Sequence, residues 1–301
     1  TGALRFPTGK EQRGRVMNIF KVLYDKGGGN KSTGARFGPQ AIERAFKCAA
    51  WDWRGAEDGT SHPELLWMHT TTSLEQYRKQ MQSAYTDSFM PSITLSGDNS
   101  CSFETVRAVA QHVEHVALAV FDAHPDACDS SHSPHAHWVR KLWDEKIIMP
   151  KKTIFFGIRD AEKTEAQYIK DQQATVMKID DVYALGATRA GTHVAAQYAS
   201  LWQPVSTHAL VIIVDIDVLD PAYAPGTGVL RAGGLHVRHV LRIIKDLCVL
   251  PFAVRVGEIC EVIPKEGNNI RPKLHKRPDP CGLTILAAEA IFREMIRSMS
   301  V

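Results

Sequence analysis

Residues 122–126 read Asp-Ala-His-Pro-Asp, and this run carries the first chemical signal of the chain. In an extended strand end, side chains two apart share a face, so Asp122, His124 and Asp126 point into one space. Three such residues on one face argue against a helix cap and a turn alone. A second run, Asp215-Ile-Asp217 followed by Asp220-Pro221, closes the very apolar stretch Ala209-Leu-Val-Ile-Ile-Val214. Leaving unpaired like charges at the end of a buried strand costs roughly several kcal/mol. A divalent cation is the simplest neutraliser. Oxygen-rich ligation with one imidazole suits Mn²⁺ first, then Mg²⁺, Zn²⁺ or Fe²⁺. Asp220, next to Pro221, is assigned to the turn rather than to a metal.

The elements that must position these groups alternate along the chain. Short aliphatic or β-branched runs at Ser92–Leu95, Val116–Phe121, Thr153–Ile158, Ala209–Val214 and Phe252–Val256 read as strands. Between and after them Phe103–Val113, His137–Glu145, Lys163–Asp171, Arg238–Leu247 and Thr284–Ser298 read as helices. An earlier strand is expected at Met17–Tyr24, then a flexible loop at Gly27–Gly34 that lacks phosphate-loop spacing, then a helix from Gln40 to Cys48 started by Pro39. Strands alternating with helices predict a single α/β domain over residues 1–301, doubly wound, with a mainly parallel sheet and helices on both faces. Gly97-Asp-Asn99, Asp122-Ala-His124 and Asp215-Ile-Asp217 each follow a strand, and sites in such sheets lie beyond the carboxyl ends of strands. The Lys-, Asn-, Pro- and Gly-rich stretch 267–280 is expected to be an exposed loop.

At 301 residues the chain is long enough to bury a large core, and 44% hydrophobic with 23% charged residues is ordinary for a globular protein. A net charge of +3, with no basic run interleaved with aromatics, names no nucleic-acid partner. No run approaches the roughly 20 apolar residues of a membrane span, and no secretory signal is visible, so the expected setting is intracellular, in the cytoplasm. The six cysteines are dispersed without a C-x-x-C pair and are expected to be free thiols.

Taken in order, Ser96-Gly-Asp-Asn-Ser100, Asp122-Ala-His-Pro-Asp126 and Asp215-Ile-Asp-Val-Leu-Asp-Pro221 resemble the G-G-D-H-S, D-A-H-x-D and D-x-D-x-x-D-P motifs of the ureohydrolases, arginase among them. Gly38-Pro39, Gly157-Ile-Arg-Asp-Ala-Glu162 with Glu165, Gly233-Gly-Leu235 and Glu261-Val-Ile-Pro264 extend the resemblance from Gly34 to Met299. It implies a binuclear Mn²⁺ centre, one ion held by Asn99, Asp122, Asp126 and Asp215, the other by His124, Asp122, Asp215 and Asp217. Such a centre makes hydroxide available near neutral pH for attack on the guanidinium carbon of arginine, giving urea and ornithine. By the same resemblance Asp126 accepts a hydrogen bond from the hydroxide, His135 shuttles protons with His132 and His137 as competitors, and Glu261 pairs with the guanidinium. Glu162 and Glu165 would engage the α-amino group and Ser131 and Ser133 would lie near the α-carboxylate, although Glu165 reads equally well as a solvated helix residue.

Four departures touch that chemistry. Asn99 stands where the family has His, Val229 where arginase has Thr, Cys128 where it has Asn, and the stretch from Asp126 to His135 is shortened. Losses around a metal ligand typically cost roughly 10–100-fold each. Arginine turnover is therefore expected to be weak or lost, with a non-catalytic ligand-binding or structural role, or hydrolysis of agmatine or another guanidino compound, as the alternatives. The resemblance also implies a homotrimer or a pair of trimers. Sedimentation at micromolar concentration should show such assemblies, and a monomer throughout would contradict this.

Overall fold

The computed structural model describes residues 16–48, 63–87, 90–202, 208–264 and 282–300. Among the described residues eight strands run β1 (Val16–Val22), β2 (Glu64–Trp67), β3 (Ser92–Ser96), β4 (His115–Phe121), β5 (Thr153–Phe156), β6 (Thr175–Met177), β7 (His208–Asp215) and β8 (Val254–Cys260). They form one sheet in the order β2-β1-β3-β8-β7-β4-β5-β6, every pair parallel. A wholly parallel sheet needs cover on both faces, and its central strands read as continuous apolar runs. β7 fits that rule, being buried along its whole length.

Period-two alternation divides the core. Ala117, Ala119, Phe121, Leu210, Ile212 and Val214 pack into one apolar cluster, and Val116, Leu118, Val120, Ala209, Val211 and Ile213 into the other. Helices α6 (Ile179–Trp202), α7 (Val237–Cys248), α8 (Leu283–Met299) and α1 (Gly38–Cys48) pack in sequence on one face, and α2 (Leu74–Asp87), α3 (Cys101–Ala110) and α4 (Trp138–Asp144) on the other. Helix α5 (Lys163–Asp171) follows β5. The α/β class, the parallel sheet and its double cover are as the alternation predicts.

Several elements lie beyond the sequence reading. β2 and β6 are too short, at four and three residues, to carry a pattern. α2 does carry one, because Tyr77, Met81 and Tyr85 recur every four residues and are fully buried. α6 breaks at Gly186, whose φ of 70° interrupts the helical pattern. β8 runs on to Cys260, so the strand expected to end at Val256 instead delivers residue 261 to the sheet edge. The loop expected at 267–280 lies outside the described residues. Cys48, Cys101, Cys128, Cys248 and Cys260 are free thiols.

Two buried features of the central strands yield tests. Gly97 follows β3 where a Cβ would stand 1.9 Å from the Tyr24 carbonyl oxygen, so Gly97→Ala should destabilise the fold by about 1–3 kcal/mol or more, read from the urea midpoint. Glu258 in β8 is fully buried and accepts hydrogen bonds from Ser96 (2.7 Å), Ser102 (3.0 Å) and Thr105. Burial outweighs these donors and pushes its carboxyl up to about 7. An acid raised on folding keeps a proton that the unfolded chain has released. Its contribution to stability is therefore full below the ordinary carboxylate range and is lost as pH rises through about 7. Urea unfolding at about pH 5 and about pH 8 should show Glu258→Gln losing less stability than the parent over that interval.

Candidate metal centre

The four central strands β3, β8, β7 and β4 end side by side, and each delivers an acidic or amide side chain just past its last residue. Asp98 and Asn99 follow β3, Glu261 follows β8, Asp215 closes β7 with Asp217 in the turn beyond, and Asp122 follows β4. A cleft of about 290 Å³ opens above them, walled by His124, Asp126, Asp215, Asp217, Glu261 and, from a neighbouring loop, Lys31. Open parallel sheets place their sites at this edge because the loops there spread apart and the strand ends converge.

Asp122, His124 and Asp217 come closest to a ready metal site, each offering one ligand atom within 4.8 Å of the others. His124 Nδ1 lies 3.1 Å from Asp217 Oδ2 and 3.5 Å from Asp122 Oδ1. Backbone amides aim the carboxylates. Ala123 N–H donates to Asp217 (3.0 Å), His124 N–H to Asp122 (2.7 Å) and Asp217 N–H to Asp215 (2.9 Å). His124 Nε2 is buried without a hydrogen-bond partner, although the Asp160 carboxylate stands 3.5 Å away. Two backbone positions of the site have positive φ in residues other than glycine, Asp126 at 52° and Glu261 at 59°. Such conformations persist only where the surroundings impose them, and they gather at functional sites.

Burial without enough positive charge sets the electrostatics. Asp122 is pushed up to about 7 by burial and then by Asp217. Asp126 and Asp215 are raised well above the carboxylate range, again by burial first, with Asp122 next for Asp126 and Asp217 next for Asp215. For Asp217 burial is opposed and overcome by His124, so its carboxyl is lowered. Burial works against charge on His124, but Asp217 and Asp122 together raise it to about 11. The cluster holds four carboxylates and one imidazole and so has an unmet demand for positive charge. The oxygen-rich donor set around His124 fits a hard divalent cation.

Asn99 corrects the sequence reading. A ligand would turn its amide oxygen toward the carboxylates, but Asn99 turns its nitrogen. Nδ2 donates to Asp126 (2.6 Å) and Asp122 (3.2 Å), with Asp215 at 3.5 Å. Oδ1 faces away, toward the Ser102 hydroxyl (2.7 Å) and the Cys260 thiol (3.3 Å). The amide N–H₂ thus takes the place of a cation among three carboxylates, and this side of the cluster does not fit an ion as folded. As folded, the donors around His124 converge without an amide among them, and those around Asn99 do not.

The remaining site residues divide by location. Glu261 sits in the cleft wall, its Oε1 accepting from Ser32 Oγ (2.8 Å) and the Asn99 backbone N–H (3.0 Å), and burial followed by Asp98 pushes it up to about 8. His135 lines the cleft with Nδ1 2.9 Å from Ser133 Oγ and 3.3 Å from the Gly27 carbonyl, and burial lowers its pKa. Glu162 and Glu165 line it too. Glu165 is neither solvated nor free, because it accepts from Ala127 N–H (2.7 Å) and Glu162 N–H (3.3 Å) and so pins the Asp126–Cys128 turn. Ser131 and Ser133 are exposed and do not line the cleft, because the turn aims them at their neighbours Asp129 and His135. His137 faces the Cys128 carbonyl at 2.8 Å.

The sequence reading missed the residues that hold this arrangement. Trp138 Nε1 donates to Asp126 (2.9 Å). Arg159 donates to the carbonyls of Gly157, Asp217, Val218, Leu219 and Arg231, clamping the turn that carries Asp217. Asp98 accepts from Gly27 N–H (2.6 Å) and Gly28 N–H (3.0 Å), which draws the glycine loop over the cleft and sets Lys31 and Ser32 in its wall. A tripeptide without side chains at its centre was legible as a loop, but not what the loop binds. Thr227 Oγ1 is buried in the wall without a hydrogen-bond partner.

Comparison with known proteins places this geometry. A family model described as the arginase family matches residues 16–296. The chain is 28% identical to an agmatinase of Halalkalibacterium halodurans over 227 residues, 74% of this chain and 69% of that one. It is 29% identical to the formimidoylglutamase of Bacillus subtilis over 248 residues, 77% of this chain and 75% of that one. The crystal structure of formimidoylglutamase from Bacillus subtilis superposes with a TM-score of 0.80 at 25% identity, covering 95% of this chain and 88% of that one. The proclavaminate amidinohydrolase of Streptomyces clavuligerus superposes with a TM-score of 0.75 at 26% identity, covering 98% and 95%.

Proposed function

The chain belongs to the arginase family, and from that premise we propose that its cleft hydrolyses the amidino carbon–nitrogen bond of a small guanidino or amidino compound, with turnover of L-arginine weak or lost. The observation that carries this reading is the convergence of Asp122, His124, Asp126, Asp215 and Asp217 beneath a cleft that Glu261 walls. Relatives named as agmatinase, formimidoylglutamase and proclavaminate amidinohydrolase support the reaction class without choosing among substrates.

Asp122, His124, Asp215 and Asp217 would hold Mn²⁺, which when bound supplies the Lewis acidity that makes hydroxide available near neutral pH. Each protein group then has a task. Glu261, raised to about 8 by burial and then by Asp98, ionises readily beside a guanidinium, because an opposite charge at close range favours the carboxylate. Asp126, held by Trp138 and Asn99, accepts the hydrogen bond of the attacking oxygen and receives its proton. His135 is kept neutral by burial, so it can take that proton up at the cleft wall and deliver it to the leaving amine. Lys31 and Arg231, both lining the cleft, supply positive charge for a substrate carboxylate, with Arg231 already paired to Asp160.

One observation favours a non-catalytic reading, and it is the Asn99 amide standing among three carboxylates where the family places a His ligand. Asn99→His separates the two. Calorimetric titration with Mn²⁺ should give about one ion per chain for the parent and about two for the variant. Urea release from L-arginine should recover by no more than roughly 10-fold, because Val229 and Cys128 still replace polar contacts. Unchanged stoichiometry would acquit Asn99. If neither Mn²⁺-loaded protein releases urea from arginine, agmatine or other guanidino acids, or formamide from formimino acids, the non-catalytic reading stands.

A further inference from the structure

A second cluster of ligand-type side chains lies higher in the same cleft, away from the strand ends. Cys128, His132 and Glu162 each offer one atom, a thiol sulfur, an imidazole nitrogen and a carboxylate oxygen, within 4.8 Å of one another. All three line the cleft mouth, and His132 Nε2 stands 3.3 Å from Glu162 Oε1. Tetrahedral Zn²⁺ with sulfur, nitrogen and oxygen donors needs ligand atoms about 3.3–3.8 Å apart, so the existing spread closes with small side-chain rotations. Glu162 is exposed and would exchange its capping bond to the Glu165 N–H for the metal, while the His132 ring stays where Asp129 holds it.

An independent feature marks the imidazole as built for a cation. Metal-ligating histidines typically give their second ring nitrogen to a carboxylate, which fixes the tautomer and the ring plane. His132 does this, its Nδ1 lying 3.2 Å from Asp129 Oδ1 while Nε2 faces the cluster. Asp129 is itself anchored by Ser131 N–H (2.9 Å) and by the Ser131 hydroxyl. The turn is closed by His132 N–H to the Asp129 carbonyl (3.1 Å) and by Cys128 N–H to the Ala136 carbonyl (3.1 Å). Glu162 arrives from the other wall as the residue preceding α5, with its amide held by Glu165.

We propose that Cys128, His132 and Glu162 form a second metal site at the cleft mouth that takes a thiophilic divalent cation of the Zn²⁺ class and closes the cleft when filled. The two sites sort cations by donor chemistry, since carboxylate oxygens favour Mn²⁺ whereas a thiolate with an imidazole favours Zn²⁺. Binding replaces the Cys128 thiol proton, which leaves to solvent, and it involves no redox change. Three protein ligands leave a fourth position open to water or a small anion. The closing effect rests on the cleft being the hydrolytic site, whereas the binding itself does not.

The test uses the full chain carrying Cys48→Ser and Cys281→Ser, so that the exposed Cys48 thiol and the one outside the described residues stay silent, and Co²⁺ as the spectroscopic stand-in for Zn²⁺. Co²⁺ should raise a thiolate-to-metal charge-transfer band that Zn²⁺ abolishes by displacement. Cys128→Ser should remove the band, and His132→Ala, Glu162→Gln and Asp129→Asn should each weaken Co²⁺ binding by roughly 10-fold or more. Thermal melts of the variants should match the parent's. No band, a band that survives Cys128→Ser, or binding unaffected by His132→Ala would overturn the site. With Mn²⁺-loaded protein, Zn²⁺ should block product release in the parent background and not in Cys128→Ser, and equal inhibition of both would overturn the closing role. Absence of any hydrolysis would sink the proposed function alone, because the spectroscopic readout decides the metal site without it.

Discussion

Too many buried carboxylates meet too little positive charge where the central strands end, and much of the surrounding structure answers that imbalance. Asp122, Asp126, Asp215 and Asp217 are all buried, and within the cluster only His124 offers a cationic side chain. Like charges at such range in a poorly solvated site cannot all stay ionised without protons, cations or donors to compensate. The parallel sheet creates the problem, because it brings four strand ends together with their side chains aimed at one space. It also sets the cluster at the floor of an open cleft, where His124, Asp126, Asp215 and Asp217 all line the wall.

Around this cluster lies a shell of acidic side chains whose work is structural. Asp98 receives the amides of the glycine loop, Glu165 those of Ala127 and Glu162, and Asp220 those of Ala222, Gly233 and Gly234. Each satisfies backbone N–H groups that a loop over a cleft would otherwise leave without partners. Arg159 performs the converse task, satisfying carbonyls on both sides of the cleft floor. Family motifs in this chain therefore mix two kinds of residue, those that face the cleft and those that fix the backbone beneath it.

The carboxylate cluster is asymmetric, and the asymmetry follows from one side chain. Around His124 the oxygens face a nitrogen that can accept a cation, whereas around Asn99 they already face an amide N–H₂. An amide delivers two hydrogen bonds but no formal charge, so it relieves less of the repulsion than a cation would. Asp126 and Asp215, on that side, are raised well above the carboxylate range by burial first and then by the neighbouring carboxylates of Asp122 and Asp217.

The chain's own sequence determined the class of fold, since apolar runs alternating with amphipathic stretches leave a covered parallel sheet as the consistent solution. It also determined the convergence of 122–126 and 215–217, because both acidic runs follow strands and strand ends share an edge. Asp220 was legible as a turn residue from its proline neighbour, and it does hold the amides of that turn. Short strands β2 and β6 were not legible, because three or four residues carry too little pattern and their pairing is decided by neighbours far along the chain. Nor was the direction of the Asn99 amide, which depends on Ser102 and Cys260 presenting donors to its oxygen from α3 and β8. Ser131 and Ser133 were placed in the site by position in a motif, yet the shortened turn points them outward. Spacing along the chain fixes which face a side chain takes within its own strand. Which atom of that side chain meets a partner is fixed by residues that only packing brings near, and this is what the tertiary structure alone decided.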